Sequence, residues 1–239
     1  MNIEEYAKKH KHYLKDQMPE EVDRLFRDNS FSRFIDIGCG GGLILYSIYK
    51  RGYDKKLKEI WGVDLSAERL KGIKEISDEI KTVQDDAQTL ENIPSDNFDL
   101  TVSTQVIEHV PDDGKMIDSL YRITKKGGFI YIDTVFKKKW AWYFYKNQIG
   151  KYSLDPTHIR EYQSETELFD KINSDKFETI FSKKELIAFP LINFVVRRLK
   201  IQNAKVHENL FFKLLSFIKI PIPGYYCWKI LLRKKTKSI

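Results

Sequence analysis

A chain of 239 residues that is 42% hydrophobic is long enough to bury the core of one α/β domain and too apolar for a disordered protein. It contains no apolar run of the length that spans a membrane, its first residues are acidic and polar rather than a signal peptide, and its two cysteines predict no disulfide framework. We therefore expect a cytoplasmic protein, and the formal net charge of +7 permits an anionic partner such as nucleic acid, a phospholipid surface or an acidic substrate.

The first half of the chain alternates predicted helices and strands. From Ile3 to Arg27 apolar residues recur at helical spacing, and Pro19 divides this segment into two predicted helices. Five strands are predicted at residues 33–37, 59–63, 80–84, 98–102 and 129–132, and helical segments at 43–49, 66–76 and 113–123, with a helical turn at 105–110. Strands that alternate with helices at this spacing predict βαβ crossovers and a largely parallel sheet.

The alternation stops after Val135. Residues 136–160 are aromatic and basic without a clear period, and a capping box at 164–167 predicts a helix to about residue 172. Two more strands are predicted at 177–189 and 224–232, with an apolar, helix-like insertion between Pro190 and Ile220. Without repeats or linkers we interpret the chain as one domain, with N-terminal helices (1–30), a cofactor-binding core (31–135), and substrate-side insertions with the last strands (136–239).

The stretch FIDIGCGGGL at 34–43 combines a buried strand, a glycine turn and a helix N-terminus. Open α/β sheets bind nucleotides in this way, because the missing side chains let a ligand lie against backbone N–H groups. A dinucleotide fingerprint would have its third glycine at position 43, where this chain has Leu43. Asp36, two residues before the first glycine, would repel a pyrophosphate but attract the ammonium of a methionine moiety. The charge pattern therefore favours S-adenosylmethionine as the ligand.

Acidic residues end three successive predicted strands: Asp36, Asp64 and the Asp85-Asp86 pair. These strand ends share one edge of a doubly wound sheet, where ligands bind. Asp64 is placed to accept hydrogen bonds from both ribose hydroxyls, Asp86 could accept from an adenine amino group, and Leu65 could pack on the ring. The alternative explanation is that aspartate is simply common in the turns that end strands.

Five segments resemble, in order, the motifs of the class I S-adenosylmethionine-dependent methyltransferases, especially the small-molecule branch that includes the ubiquinone-biosynthesis O-methyltransferases. They are residues 36–42, 63–66, 84–87, 98–112 and 120–129. The resemblance implies an α/β, Rossmann-like fold with a mostly parallel seven-stranded sheet, an antiparallel last strand and helical or aromatic insertions. It also implies methyl transfer to oxygen or nitrogen of a small acceptor, with lipid-linked acceptors among the candidates. The implied cofactor contacts are Asp36, Gly38, Cys39, Gly40, Asp64, Leu65, Asp86, Ala87, Thr104 and Gln105.

Two histidines are candidate catalytic residues. Some members of this branch bind a divalent metal through Glu-x-x-Glu-His, but this chain has Gln105 at the first glutamate, so we expect Glu108 and His109 to pack beside the cofactor rather than hold a metal. Residues 155–162 resemble the loop that closes over acceptor substrates in the same branch. His158 could there take the acceptor's proton, or it could hold the loop in place by hydrogen bonds.

Residues 136–145 set lysines beside a dense run of aromatic rings, and residues 210–219 have a similar composition. Rings beside lysines suit a lipid headgroup interface or the mouth of a hydrophobic site, which predicts peripheral contact with an anionic membrane; the alternative is a lid packed on the sheet. An RNA methyltransferase remains a rival interpretation, although no RNA-binding module is recognisable. A non-catalytic subunit that binds the cofactor is a second rival.

Overall fold

The computed structural model describes residues 14–147, 149–191 and 217–236. Its main element is a seven-stranded sheet, and a two-stranded hairpin lies beside it. The strands of the sheet are β1 (Arg33–Ile37), β2 (Glu59–Asp64), β3 (Lys81–Gln84), β4 (Phe98–Thr104), β5 (Thr124–Lys137), β8 (Phe177–Pro190) and β9 (Lys219–Lys234), and the hairpin is β6 (Tyr145–Lys146) with β7 (Tyr152–Ser153).

The strand order is β3-β2-β1-β4-β5-β9-β8. Strands β1 to β5 pair in parallel, and β9 is antiparallel to both of its neighbours, β5 and β8. The predicted α/β fold with a mostly parallel sheet and an antiparallel last strand is therefore confirmed. In the described part of the chain, no helix is long and apolar enough to cross a membrane.

The helices are α1 (Glu20–Asp28), α2 (Leu43–Lys50), α3 (Ala67–Lys71), α4 (Asp113–Ile123) and α5 (Thr166–Phe169), with 3-10 turns at Asp54–Lys56 and Gly72–Glu75. The helix predicted at 113–123 has the predicted bounds, because Asp112 caps it by accepting a hydrogen bond from Lys115 N at 3.0 Å. The helix predicted at 66–76 begins at its cap, Ser66, but tightens to 3-10 geometry at Gly72.

One predicted helix is wrong in extent. One half of the capping box forms, since Ser164 N donates to Glu167 Oε1 at 3.0 Å, but α5 is only one turn long. Residues 105–110 form the predicted turn, in which His109 N donates to Val106 O at 2.8 Å, and Gln105 has a left-handed φ of 54°. The predicted helices before residue 14 and between 192 and 216 lie outside the described residues.

Hydrophobic layers cover both faces of the sheet. Ile35 and Ile37 of β1 pack with Leu120 of α4 on one face, whereas Phe34 packs with Val22 of α1 and Leu45 of α2 on the other. This division follows from the alternation of side chains along a strand. Both faces of the parallel strands are apolar, which is why these strands appear in the sequence as short uninterrupted hydrophobic runs.

Strands β5 and β9 are much longer than predicted. They pair with each other without interruption from Phe129↔Arg233 to Lys137↔Tyr225. Because this pairing joins residues about a hundred positions apart, local sequence patterns do not show how far it extends. Trp228 of β9 is fully buried, and its ring lies against Phe136 of β5 and Phe169 of α5. The ring also packs against Tyr162, and its Nε1 donates to Ser182 Oγ at 2.8 Å. The last strand therefore carries the largest side chain of the core.

We expect Trp228→Ala to lower the free energy of unfolding by about 3–5 kcal/mol, because it leaves a large cavity in the core. Urea denaturation followed by circular dichroism measures the loss. Trp142→Ala is the matched control: this ring is 60% exposed, so the change should stay within about 0.5 kcal/mol. Equal losses in the two variants would contradict the assigned role of Trp228.

Candidate active site

A cavity of about 940 Å³ opens at the carboxyl ends of β1, β2, β4 and β5. Ligands bind at this edge in open α/β sheets. Its wall includes all ten residues predicted to contact the cofactor, namely Asp36, Gly38, Cys39, Gly40, Asp64, Leu65, Asp86, Ala87, Thr104 and Gln105. The three strand ends and the glycine turn that the sequence singled out therefore meet in one place.

The turn after β1 needs glycine for two reasons. Gly38 has a φ of +71°, and a Cβ there would lie 2.3 Å from Val106 Cγ2, so neither the backbone nor the space allows a side chain. Gly38 N and Cys39 N both donate to Val63 O, at 2.7 and 2.9 Å, which ties the turn to the end of β2. The close approach of Val106 brings the turn after β4 against the glycine turn.

Asp64 is a buried carboxylate held by backbone. Its Oδ2 accepts from Gly40 N at 2.8 Å, and its Oδ1 accepts from Ser66 N at 2.8 Å. Each carboxylate oxygen has a second lone pair, so both can still accept a hydroxyl hydrogen bond from a ligand. Asp64 therefore connects the glycine turn to the cap of α3 and keeps acceptor capacity towards the cavity.

Asp36 lies at the cavity wall with only 1% of its surface exposed, and neither of its carboxyl oxygens has a hydrogen-bond partner among the described residues. Burial, together with the nearby charges of Asp64 and Asp133, raises the pKa of Asp36 to about 8. An unpaired buried carboxyl group is costly, and a cationic ligand would satisfy it. Asp36 therefore keeps its full capacity to pair with a positively charged group.

Asp133 near the end of β5 is a wall residue that sequence reasoning missed. It accepts from Gln105 Nε2 at 2.8 Å and from Gln105 N at 3.1 Å, contacts that support the left-handed backbone of Gln105. Burial raises the pKa of Asp133 to about 6. The one available signal was a carboxylate in an otherwise apolar strand, which is unusual unless the residue has a partner.

At the other end of the wall, Asp86 follows β3. It accepts from Gln88 N at 2.8 Å and from Gln88 Nε2 at 2.9 Å, so its carboxylate is fixed in place. Leu65 lines the cavity yet is 48% exposed, an apolar side chain left without a cover. A flat ring between Leu65 and Asp86 would meet an apolar surface and a hydrogen-bond acceptor.

His109, and not His158, faces the cavity. The His109 ring contacts Thr157 O through Nδ1 at 3.3 Å and meets the His158 ring edge-on at 4.8 Å between centroids. Burial, and secondarily His158, lowers the pKa of His109 to about 4. His109 is therefore uncharged at neutral pH.

His158 lies one layer behind the wall, 5% exposed. Its Nδ1 pairs with Glu161 Oε1 at 2.9 Å. Burial opposes the charged ring, but the hydrogen bond to Glu161 and the charge of Glu108 outweigh it and raise the pKa of His158. This position supports the loop-holding interpretation, and any proton role of His158 must pass through its neighbour His109.

The segment 155–162 is clamped to the turn between β4 and α4. Ile159 N donates to Glu108 O at 2.9 Å, and the Arg160 guanidinium donates to Ile107 O at 2.9 Å and to Pro111 O at 2.6 Å. Tyr162 OH donates to Asp113 Oδ2 at 2.9 Å. These contacts fix the position of His109 and close one side of the cavity.

Glu108, His109 and His158 bring one ligand atom each to within 4.8 Å of one another, a set that spacing along the sequence did not reveal. Glu108 is fully buried, and its Oε2 accepts from Thr134 Oγ1 at 2.9 Å, while its Oε1 has no hydrogen-bond partner in the part of the chain that the structure describes. Burial raises the pKa of Glu108 to about 7. A single ion with bonds of about 2.1 Å needs its ligand atoms within about 4.2 Å of one another.

The group lacks the first carboxylate of the Glu-x-x-Glu-His pattern. Gln105 stands at that position, and its amide is engaged by Asp133 at 2.8 Å. A protonated Glu108 beside two imidazoles accounts for the same geometry without a metal.

Another part of the wall is apolar and is formed by Leu154, Ile159, Ile187, Phe189 and Cys227, from the loop after β7 and from strands β8 and β9. Ile159 belongs to the segment that the sequence predicted to close over acceptors, whereas the other four were missed. They come from distant parts of the chain that meet only in the folded structure, so no local pattern could identify them. We call this part of the wall the apolar half of the cavity, and the part at β1–β4 the polar half.

Comparison with known proteins identifies a family. The family model described as "Methyltransferase domain" matches residues 10–172. A ubiquinone biosynthesis O-methyltransferase of Proteus mirabilis is 28% identical over 131 residues, which are 52% of this chain and 49% of that protein. The chain thus spans about half the length of the curated relatives it matches.

Solved structures share the fold. A SAM-dependent methyltransferase from Methanosarcina mazei matches 93% of this chain and 100% of its own, with a TM-score of 0.61 and 16% identity. A cyclase matches 91% of this chain and 81% of its own, with a TM-score of 0.58 and 15% identity. Since a cyclase shares the architecture, the fold alone does not determine the reaction.

We expect the purified protein to hold no stoichiometric divalent metal, because Gln105 supplies an amide that is already engaged by Asp133. Elemental analysis should find less than one ion per chain, and EDTA should leave the melting temperature unchanged. Gln105→Glu is the informative variant, since it restores the absent carboxylate and should raise the affinity for zinc or manganese. A tightly bound ion in the wild type, lost in His109→Ala, would contradict this expectation.

Proposed function

The chain belongs to the methyltransferase domain family, whose model spans residues 10–172, and from this membership we propose that it transfers the methyl group of S-adenosylmethionine to a small-molecule acceptor. The observation that carries the proposal is the unpaired, buried carboxyl group of Asp36 beside the glycine turn. A ligand with an ammonium group, a ribose and a flat ring matches Asp36, Asp64 and the Leu65–Asp86 end in that order.

Bound S-adenosylmethionine supplies an electrophilic methyl group on a sulfonium. The residues of the polar half would hold it: Asp36 would receive the ammonium, Asp64 would accept from the ribose hydroxyls, and Asp86 would accept from the adenine amino group. A Cβ at Gly40 would meet only Arg69 Nη1 among the described residues, at 3.9 Å, so Gly40 leaves room for a ligand against the backbone, whereas Val106 takes the space at Gly38. Methyl transfer depends mainly on in-line placement in a site from which water is excluded, and fixed carboxylates provide that placement.

His109 is the residue we assign to the acceptor's proton. It lies on the cavity wall and, with its pKa near 4, is uncharged at pH 7, so it does not repel a sulfonium. An acceptor hydroxyl becomes strongly acidic as its oxygen binds the methyl group, and a weakly basic imidazole within reach can then take the proton. His158 and Glu161 orient the segment that carries Thr157, the partner of His109.

The acceptor we propose is a small, largely apolar molecule that is methylated on oxygen or nitrogen, including one that carries a lipid tail. The apolar half of the cavity, formed by Leu154, Ile159, Ile187, Phe189 and Cys227, supports this class. The Proteus mirabilis relative is named for ubiquinone biosynthesis, which is consistent with an apolar aromatic acceptor.

Asp64→Asn should weaken the binding of S-adenosylhomocysteine by about tenfold or more, because the amide replaces an acceptor with a donor that faces both Gly40 N and the ribose hydroxyls. Isothermal titration calorimetry measures this change. Asp78→Asn, an exposed carboxylate outside the cavity, is the control and should bind as the wild type does. Unchanged binding in Asp64→Asn, or a preference of the wild type for NAD, would contradict the cofactor assignment.

Cofactor affinity should rise with pH through the pKa of Asp36. The unliganded carboxyl group is protonated below about pH 8, whereas an ammonium ligand favours the ionised form. Affinity for S-adenosylhomocysteine should therefore increase between pH 6 and pH 8, by at most about tenfold per unit, with release of a proton on binding. Calorimetry in two buffers with different ionisation enthalpies measures both quantities.

Asp36→Asn is the matched variant for this pH dependence: it should bind more weakly and lose most of the rise above pH 7. Asp133 also faces Asp36, but its pKa is near 6, so Asp133→Asn should keep that rise. A flat profile in the wild type, without proton release, would mean that Asp36 does not meet the ammonium.

A further inference from the structure

Five large apolar side chains stand exposed on one segment beside the sheet. They are Trp140 (66% exposed), Trp142 (60%), Phe144 (68%), Ile149 (68%) and Tyr152 (48%). Trp142 contacts Phe144 and Tyr152, with ring centroids 5.5 and 6.3 Å apart, so these three rings form one patch, and Trp140 and Ile149 belong to the same segment. Contiguous exposed apolar patches on a folded domain mark interaction surfaces.

The exposure of these rings follows from the backbone. Residues 141–144 alternate, with Ala141 and Tyr143 buried and Trp142 and Phe144 exposed. The inward side chains join Val135, Ile222 and Tyr225 in a small hydrophobic cluster, which anchors the segment. Every second ring is therefore directed outward by an anchored, extended chain.

The charge around the patch has one sign. Between Phe136 and Leu154 the sequence has five lysines and neither aspartate nor glutamate. Lys138, Lys139, Lys146 and Lys151 are exposed, and Lys146 lies 5.1 Å from the centre of the Tyr152 ring. We call the exposed side chains of residues 138–152 the aromatic-basic surface.

We propose that the aromatic-basic surface docks the protein on the face of a membrane that contains anionic phospholipids. Lysines are attracted to anionic headgroups, and tryptophan, phenylalanine and isoleucine insert at the boundary between headgroups and acyl chains. A single-stranded nucleic acid would also meet lysines and rings, but Ile149 offers no flat face on which a base could stack. The mixture of aliphatic and aromatic side chains fits a lipid surface better.

The docking surface lies beside the apolar half of the cavity. Tyr143, which anchors the segment, packs against Phe189 with ring centroids 6.3 Å apart, and Phe189 lines the cavity together with Leu154. An acceptor with a lipid tail could therefore reach the cavity without leaving the bilayer. This consequence rests on the proposed function, whereas docking on vesicles does not.

The test is flotation of the full chain with vesicles, without cofactor or acceptor. Vesicles of phosphatidylcholine with about one third phosphatidylserine are compared with phosphatidylcholine alone, in about 0.05 M and 0.5 M NaCl. We expect binding to the anionic vesicles at low salt. Added salt should remove the part contributed by lysines and leave the part contributed by inserted rings.

Two variants separate the two contributions. Trp142→Ser with Phe144→Ser should lower the salt-resistant partition coefficient by more than about tenfold, because two exposed rings are lost. Lys139→Gln, Lys146→Gln and Lys151→Gln together should lower low-salt binding by about a hundredfold and abolish the preference for phosphatidylserine. None of these residues lines the cavity, so binding of S-adenosylhomocysteine should be unchanged and reports that the variants are folded.

Matched controls lie elsewhere on the surface. Ile180→Ser with Leu186→Ser removes two apolar side chains that are 44% and 49% exposed, and Lys55→Gln, Lys56→Gln and Lys58→Gln remove three exposed lysines. Both controls should bind vesicles as the wild type does.

Three results would overturn the proposal. They are a wild type that stays unbound to anionic vesicles at low salt, test variants that bind no more weakly than the controls, and a single-stranded RNA that binds through the same residues while vesicles do not. In each case S-adenosylhomocysteine binding can stay intact, so failure of the docking surface is distinguishable from failure of the proposed function.

Discussion

Three carboxyl groups, Asp36 of β1, Asp64 of β2 and Asp133 of β5, are buried near one another at one edge of the sheet, and the site depends on how their charge is compensated. Asp64 is stabilised by two backbone N–H groups and Asp133 by Gln105. Asp36 has no partner among the described residues, so it resists ionisation until a cation arrives. A polypeptide that kept this residue for stability alone would do better with a neutral side chain. The unpaired carboxyl group lowers the stability of the free protein, and a positively charged ligand would offset that loss.

The tight turn after β4 determines where Gln105, Glu108 and His109 lie. Gln105 adopts a left-handed backbone there, Val106 fills the space left by Gly38, and Glu108 and His109 follow. Arg160 then donates to the carbonyl groups of this turn, so a distant loop is fixed to it. His109 consequently has two neighbours, Thr157 and His158, that are nearly fifty positions away in sequence. The acid–base chemistry of the cavity is thus set by the turn, and the loop behind it maintains the geometry.

Sequence reasoning located β1 to β4 to within a few residues, helped at β1 by an apolar run closed by glycine and at β2 by one that ends in aspartate. It also identified ten of the residues that line the cavity, since strand ends in a parallel sheet meet at one edge. It underestimated β5 and β9, whose extent is decided by their mutual pairing, and it failed on Asp133, Ile187 and Phe189, which no local pattern marks. It left His158 either at the acceptor or holding the loop, and the burial of His158 against Glu161, behind His109, favours the second role. Local signals determine where strands end, and long-range packing determines which side chains those ends meet.

Strand β9 is the last of the described strands in chain order, yet it lies inside the sheet, between β5 and β8. During synthesis on a ribosome, β1 to β5 can emerge and pair in parallel while β8 still lacks its neighbour. The half of the cavity with the glycine turn can therefore assemble early, and the apolar half, with Ile187, Phe189 and Cys227, can assemble only when β9 inserts. Until then the edge of β5 is open to wrong partners, so the nascent chain is most prone to aggregation just before its last strand is translated.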